Sequence, residues 1–248
     1  MNSFFGLLFT LIIGLVILIG TVVVKLTKNN DKFVHFSISM ALGVIASLVM
    51  LELLPESIEL LFETYNREIT IVMVFGFSVL GLLLLMTLEN FIPHHGHGHG
   101  EELFHLGIVS SIAIIFHNLI EGMAIYATVT NSVSMGILMG IGVGLHNIPM
   151  GMLIASALIK ARVGFLKKVV ILLPISISTF AGGVIMYFNS EILTNTTLLG
   201  IILSITQGML VYIAVFELLP HIRHCNDKKS NIIGIILGIL IMATSLIL

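Results

Sequence analysis

Charge is scarce in this chain of 248 residues. Asp, Glu, Lys and Arg make up 10% of it, against 57% hydrophobic residues and a mean hydropathy of +1.14. Soluble domains carry about a quarter charged residues, so this composition is built for lipid rather than water. Tryptophan is absent and tyrosine occurs four times. With so little polar surface, no stretch reads as a separate water-soluble domain. The 11 Lys and Arg are scattered, which excludes the clustered basic face of a nucleic-acid binder. The single cysteine, Cys225, excludes an internal disulfide and a cysteine-rich zinc site. No phosphate-cradling loop of the GxxxxGKS/T type and no HExxH helix occur, so neither ATP-driven pumping nor zinc-protease chemistry has its usual signature.

What is present is a series of long apolar runs. A bilayer core takes about 20 helical residues, and runs of that length fall at roughly 4–24, 33–55, 70–91, 104–127, 133–158, 169–188, 198–220 and 231–248. The first lacks a basic leader and a small-residue cleavage site, so it reads as a retained span rather than a secretory signal. With the N-terminus outside, the inner loops hold Lys25, Lys28, Lys32, Lys160, Arg162, Lys167, Lys168, Arg223, Lys228 and Lys229, and the outer side holds only Arg67. Under the positive-inside rule both termini then face away from the cytoplasm.

Two polar words recur in this oily text. FHNLIEGMAI begins at Phe116 and LHNIPMGMLI at Leu145, in the fourth and fifth runs. LELLPESI begins at Leu51 and FELLPHI at Phe216, in the second and seventh. Each pair lies in helices expected to cross in opposite senses, the pattern of an inverted repeat about an axis in the membrane plane. The expected fold is an all-α membrane protein in which eight transmembrane helices form a 3+2+3 inverted-repeat arrangement. It is a single polytopic domain over residues 1–248.

On a helix, positions i and i+4 lie about 40° apart. His117 and Glu121 therefore share a face, with Asn118 beside them. His146 and Met150 share another, flanked by Asn147. Imidazole, carboxylate and amide oxygen are donors that a borderline divalent ion such as zinc accepts. An ionised Glu at membrane depth costs several kcal/mol unless neutralised, and neither helix carries a Lys or Arg near Glu121. A metal ion, water or a proton must do it. Pro149 has no N–H, so the carbonyl of Leu145 loses its helix partner beside His146, and such carbonyls at membrane depth line cavities or ion sites. Gly136, Gly140 and Gly144 form a stripe that lets helices approach closely; for Gly136 and Gly140 packing alone is expected.

HNLIEG followed by HNIPMG, with ELLPES in the second run, ELLPH in the seventh and a His-rich loop after the third, resembles the ZIP family of divalent-metal transporters. The resemblance spans essentially the whole chain. It implies eight helices, outer termini, and a site between helices 4 and 5 through which zinc, iron or manganese enters the cytoplasm. The family's ligand positions fall on His117, Asn118, Glu121, His146 and Asn147. Homodimers are common among such proteins, so a homodimer enters as an expectation, with the inner membrane as the default location.

Three departures are visible. Leu119 and Ile120 stand where many members have a proline-containing HNxPEG, Met150 replaces a Glu, and helix 6 offers only Ser178 and Thr179 where some members carry a further Glu. One carboxylate in place of two cannot hold two adjacent divalent ions against their mutual repulsion at low dielectric. A single-metal site is therefore expected: His117, Glu121 and His146, assisted by Asn118 or Asn147. Met150 either adds a thioether ligand or simply packs.

Along the route, Glu52, Glu56, Glu59 and Glu63 form a stripe at the outer end of helix 2, which concentrates cations at the mouth or is an ordinary solvated helix end; Glu52 and Glu56 are the better placed. On the inner side are Glu217 and His221, with His224, Cys225 and Asp227 beyond, and Glu89 and His105 flank a loop at about 92–103 with His94, His95, His97 and His99. That run has metal affinity by composition, suiting buffering or sensing as well as transport. Two other readings compete with a permease: a relative that binds or senses metal without transporting it, and an intramembrane metalloenzyme. Against the enzyme, no nucleophile or general base stands apart from the metal ligands.

Overall fold

The computed structural model describes residues 2–27, 30–92, 99–189, 195–223 and 227–248. Among the described residues the regular elements are all helical, and eight helices are long and apolar enough to cross a bilayer. They are α1 (Ser3–Leu26), α2 (Asp31–Phe62), α3 (Arg67–Glu89), α4 (Gly100–Asn131), α5 (Val133–Lys160), α6 (Phe165–Phe188), α7 (Thr196–Arg223) and α8 (Lys228–Ile247).

Several helices outrun their expected bounds, the second by the most. The span expected to stop at 55 runs on through Glu56 and Glu59 to Phe62, because Glu is a good helix former and Ser57 and Leu61 keep a buried face beneath the exposed acids. Asn66 then caps α3, its side chain accepting from the Ile69 N–H at 3.0 Å. The loop expected at about 92–103 is shorter than that: the helix that carries the α4 span starts at His99, one residue before the span, with Glu101 and Glu102 in its first turn. Carboxylates there oppose the positive end of the helix dipole. His94, His95 and His97 lie outside the described residues, as do His224 and Cys225.

The ELLP word shapes both helices that carry it. Residues Val49–Leu53 of α2 and Ile213–Leu218 of α7 are π-helical. Each widened turn ends two residues before a proline, Pro55 or Pro220, and is closed by a bond back five residues, Leu54 N–H to Val49 and Leu219 N–H to Ala214. Proline denies the carbonyl four residues earlier its partner, and one extra residue in the turn carries the ladder past the gap.

Packing follows reciprocal glycines. Gly122 of α4 lies on the Thr179 carbonyl of α6, and Gly182 of α6 lies on the Leu119 carbonyl of α4. Gly20 and Gly151 do the same for α1 and α5, against Ile148 and Ile17; Gly43 and Gly238 for α2 and α8, against Ile235 and Met40; Gly81 and Gly208 for α3 and α7, against Ile205 and Ser78. At each, a Cβ would overlap a carbonyl oxygen, so only glycine allows this approach. Gly136 and Gly140 are packing glycines, against Val129 and the Phe9 ring. Helices α1, α4, α5 and α6 form one group, α2, α3, α7 and α8 another, and α2 and α8 also meet α5. Much of the largest apolar core lies across these contacts, with Ile45, Leu48, Ile114, Leu153, Ile154 and Leu210 buried in it.

Candidate metal centre

Ser132 alone separates α4 from α5, so the two helices fold back antiparallel and bring their polar words to one level. His117 Nε2 lies 3.0 Å from Glu121 Oε1, one turn along α4, and His146 Nε2 reaches the same oxygen from α5 at 2.6 Å. The two imidazole rings are 5.9 Å apart between centroids. One donor atom from each of the three residues falls within 4.8 Å of the other two, and all three side chains are buried. Two nitrogens and one oxygen so gathered match the donor set zinc accepts, with room for a fourth ligand.

Several polar atoms around this centre are buried without a hydrogen-bond partner among the described residues: Glu121 Oε2, Asn118 Oδ1, and both Oδ1 and Nδ2 of Asn147. Each such atom costs about 1–3 kcal/mol in a dry interior, a cost that a coordinated cation or its water offsets. Asn118 is held in place by its other end, Nδ2 donating to the Ile175 carbonyl of α6 at 3.3 Å. Met150 is wholly buried within the apolar core cluster. On α6, the Ser178 hydroxyl donates to the Ile175 carbonyl at 2.7 Å, while Thr179 sits against Gly14 of α1; neither is among the residues lining the cavity described next.

A cavity of about 110 Å³ runs from His117 and Glu121 past Glu52 and Glu56 to Leu60, Met139 and Leu199. It opens towards the end of the bundle where α2 and α4 finish and α5 and α7 begin. Glu52, one turn inside Glu56, is half-buried and Glu56 exposed, so the acids grade from solvent to centre. Glu59 and Glu63 are exposed.

A second group gathers at the other end. His105 Nε2 is 3.3 Å from Glu89 Oε1 and His105 Nδ1 is 3.7 Å from Glu217 Oε2, again with donor atoms within 4.8 Å of one another. The Tyr212 hydroxyl donates to the other oxygen of Glu89. Beside them the His221 ring faces that of His35 of α2 at 5.6 Å. His105 precedes His117 by twelve residues, about 18 Å along α4, and apolar core residues Val109, Ala113 and Ile114 lie along that stretch of α4.

Sequence spacing alone pairs His117 with Glu121 but leaves Tyr212 and His35 unremarked. Tyr212 is one of four tyrosines and precedes Glu217 by little more than a turn, a signal that a search around each intramembrane Glu finds. Ser245, whose hydroxyl lies 3.1 Å from His146 Nδ1, carries no such signal, since 99 residues separate the two.

The chain is 26% identical to the zinc transporter ZupT of Chlorobium chlorochromatii over 264 residues, covering 100% of this chain and 98% of that one. It is 27% identical to the zinc transporter ZupT of Streptococcus mutans, covering 100% and 98%, and 28% identical to that of Clostridium perfringens, covering 100% and 96%. The family model described as ZIP zinc transporter matches residues 93–246, which take in both HN words and the second ELLP. A multi-pass membrane protein with eight membrane-length helices among its described residues, this chain belongs to the ZIP zinc transporter family, whose members are transporters and not enzymes.

Proposed function

We propose that this chain is a zinc permease that moves the ion into the cytoplasm through the centre formed by His117, Glu121 and His146, with Asn118 and Asn147 supplying neutral oxygens. One observation carries this: three ligand atoms from two antiparallel helices converge within 4.8 Å around a buried carboxylate. A divalent cation neutralises that carboxylate where no Lys or Arg can. The two-imidazole, one-carboxylate donor set suits zinc and ferrous iron alike and manganese less well; zinc is favoured among them by the zinc transporters that the chain resembles along its whole length.

The route begins at Glu56 and Glu52, where carboxylates concentrate the ion and begin to replace its water. His117, Glu121 and His146 then take it. Beyond the apolar core, Glu217, Glu89 and His105 receive it, and His221 and the run His94, His95, His97 and His99 carry it off or hold it in reserve. Ser178 and Thr179, which are absent from the lining of the cavity at Glu52 and Glu56, and Met150, which lies in the apolar core cluster, are given no ligand role in this reading. Passage needs the core to part on the His105 side while the Glu56 side closes, which is alternating access around a fixed site.

An inverted 3+2+3 repeat supports that movement. Exchanging α1, α2, α3 and α4 for α6, α7, α8 and α5 maps the glycine-locked pair α1 and α5 onto α6 and α4, and α2 and α8 onto α7 and α3. It also maps one π-turn onto the other, Glu52 onto Glu217. Inner-loop basic residues support outer termini and inward delivery across a bacterial inner membrane by one polytopic domain; a homodimer is proposed from the family resemblance alone.

The test is uptake into proteoliposomes holding a metal-sensitive dye and no nucleotide. Zinc enters, and Glu121→Gln lowers the initial rate by more than about 100-fold, because even an outer partner of a ligand is worth about 10–100-fold. No uptake of zinc, iron, manganese, cadmium or copper(I) by the native chain overturns the permease. Titration of purified protein after deleting the His-rich loop gives one tight ion at the centre; two overturn the single-metal site.

A further inference from the structure

We propose that Ser245 of α8 is a positioning residue for zinc: its hydroxyl holds the His146 ring and satisfies Nδ1 in whichever tautomer the ion requires. The proposal rests on the metal-centre reading above. His146 is buried, its Nε2 facing Glu121 at 2.6 Å and its Nδ1 facing the Ser245 hydroxyl at 3.1 Å.

A neutral imidazole carries one N–H and one lone pair. Without metal, the proton sits on Nε2 and is donated to Glu121, so Nδ1 is an acceptor and Ser245 donates to it. With zinc on Nε2, that nitrogen gives its lone pair to the ion. The ring then carries its single proton on Nδ1 and donates it to the Ser245 oxygen. The ring keeps one proton throughout, one N–H bond breaks and one forms, and the hydroxyl turns round. A hydroxyl is both donor and acceptor. A carbonyl or an amide nitrogen at that place could serve only one of the two states.

The seat for Ser245 is built into α5. Gly142 lies one turn before His146, and a Cβ there would meet the Ser245 carbonyl oxygen at 2.7 Å and its hydroxyl at 3.1 Å. Glycine at 142 thus lets α8 come close enough for the hydroxyl to reach the ring. Ring orientation by a partner on the far nitrogen is a general feature of histidine ligands, worth about 10–100-fold in affinity. Here the partner comes from the helix that packs on α2, so a residue 99 positions away sets the aim of the ligand.

The experiment compares Ser245→Thr with Ser245→Val, equal in shape but differing in the hydroxyl, in full-length protein of unchanged helicity. Zinc affinity, the concentration dependence of uptake, and side-chain 15N shifts of His146 are measured, the His146 signals being assigned by their loss in His146→Gln. Ser245→Val weakens zinc binding by about tenfold, raises the half-saturating zinc concentration in parallel, leaves maximal uptake within about twofold, and removes the Nδ1–H signature of the zinc-loaded form. Ser245→Thr keeps all three near native values. Equal affinities and equal 15N shifts in the Thr and Val variants overturn the positioning role. If His146→Gln itself leaves zinc binding and uptake unchanged, the metal-centre reading has failed, and with it this one. If His146→Gln abolishes binding while Thr and Val behave alike, only the role of Ser245 has failed.

Discussion

Glu121 and Met150 stand at matching places in the two repeated words, each four residues after a histidine that faces the other helix. Glu121 meets both rings, whereas Met150 is wholly buried in apolar core. Met150→Glu places a carboxylate within the apolar core cluster, which costs several kcal/mol unless a cation binds. We expect its melting temperature without zinc to fall by about 5–10 °C, at about 2–4 °C per kcal/mol for a chain of this size. Zinc then restores more of it than zinc adds to the native protein. Equal melting with and without zinc in both proteins contradicts this. The pairing of His117 with Glu121 was legible in the sequence because helical geometry guarantees it. The approach of His146 to the same oxygen was only suggested, since spacing within α5 says which face His146 occupies but not what that face meets. Ser245 could not be read at all: a serine two residues from the end of an apolar helix looks the same whether it faces lipid or an imidazole.

Helices were legible as a count and less so as lengths. The break expected after residue 55 was inferred from charge, yet charge on one face of an amphipathic end is no obstacle to helix, and α2 carries Glu56 and Glu59 outward to Phe62. The π-turns were not legible: Pro55 and Pro220 announce a disturbed ladder but not whether it kinks, breaks or widens. Glycine meaning also depended on neighbours. Gly122 lies on the Thr179 carbonyl, whereas Gly76 has nothing within 4 Å of where its Cβ would stand. Gly122→Ala is expected to lower stability by about 1–3 kcal/mol through overpacking, with reduced zinc uptake because α4 shifts on α6. Gly76→Ala is expected to be neutral or slightly stabilising. Thermal unfolding in detergent checks both, and similar shifts for the two would show that the reciprocal contacts do not set the spacing of α4 and α6.

Across the whole molecule, orientation is the property that turns a binding site into an importer. Ten basic residues on one side against one on the other predict that the segment between α7 and α8, with the lone Cys225, is cytoplasmic. A membrane-impermeant thiol reagent applied to intact cells should leave Cys225 unlabelled and label it once the membrane is opened. Asn66→Cys in a Cys225→Ser background, between α2 and α3, should label in intact cells. The reverse pattern would invert the topology, turning the cavity at Glu56 into a cytoplasmic mouth and the proposed import into export.

By itself, the order of residues determined the solvent, the number of crossings, the donor types and their spacing within each helix. These follow from local rules: hydrophobic length against bilayer thickness, 3.6 residues per turn, and the chemistry of each side chain. Which helices touch was decided only in three dimensions, where carbonyl oxygens settle onto glycines and select α6 for α4, α1 for α5 and α8 for α2. That choice brings one carboxylate oxygen between two imidazoles and a hydroxyl behind the second of them. No local rule contains it, because the groups involved are distant in sequence and are made neighbours only by the shapes of the helices that carry them.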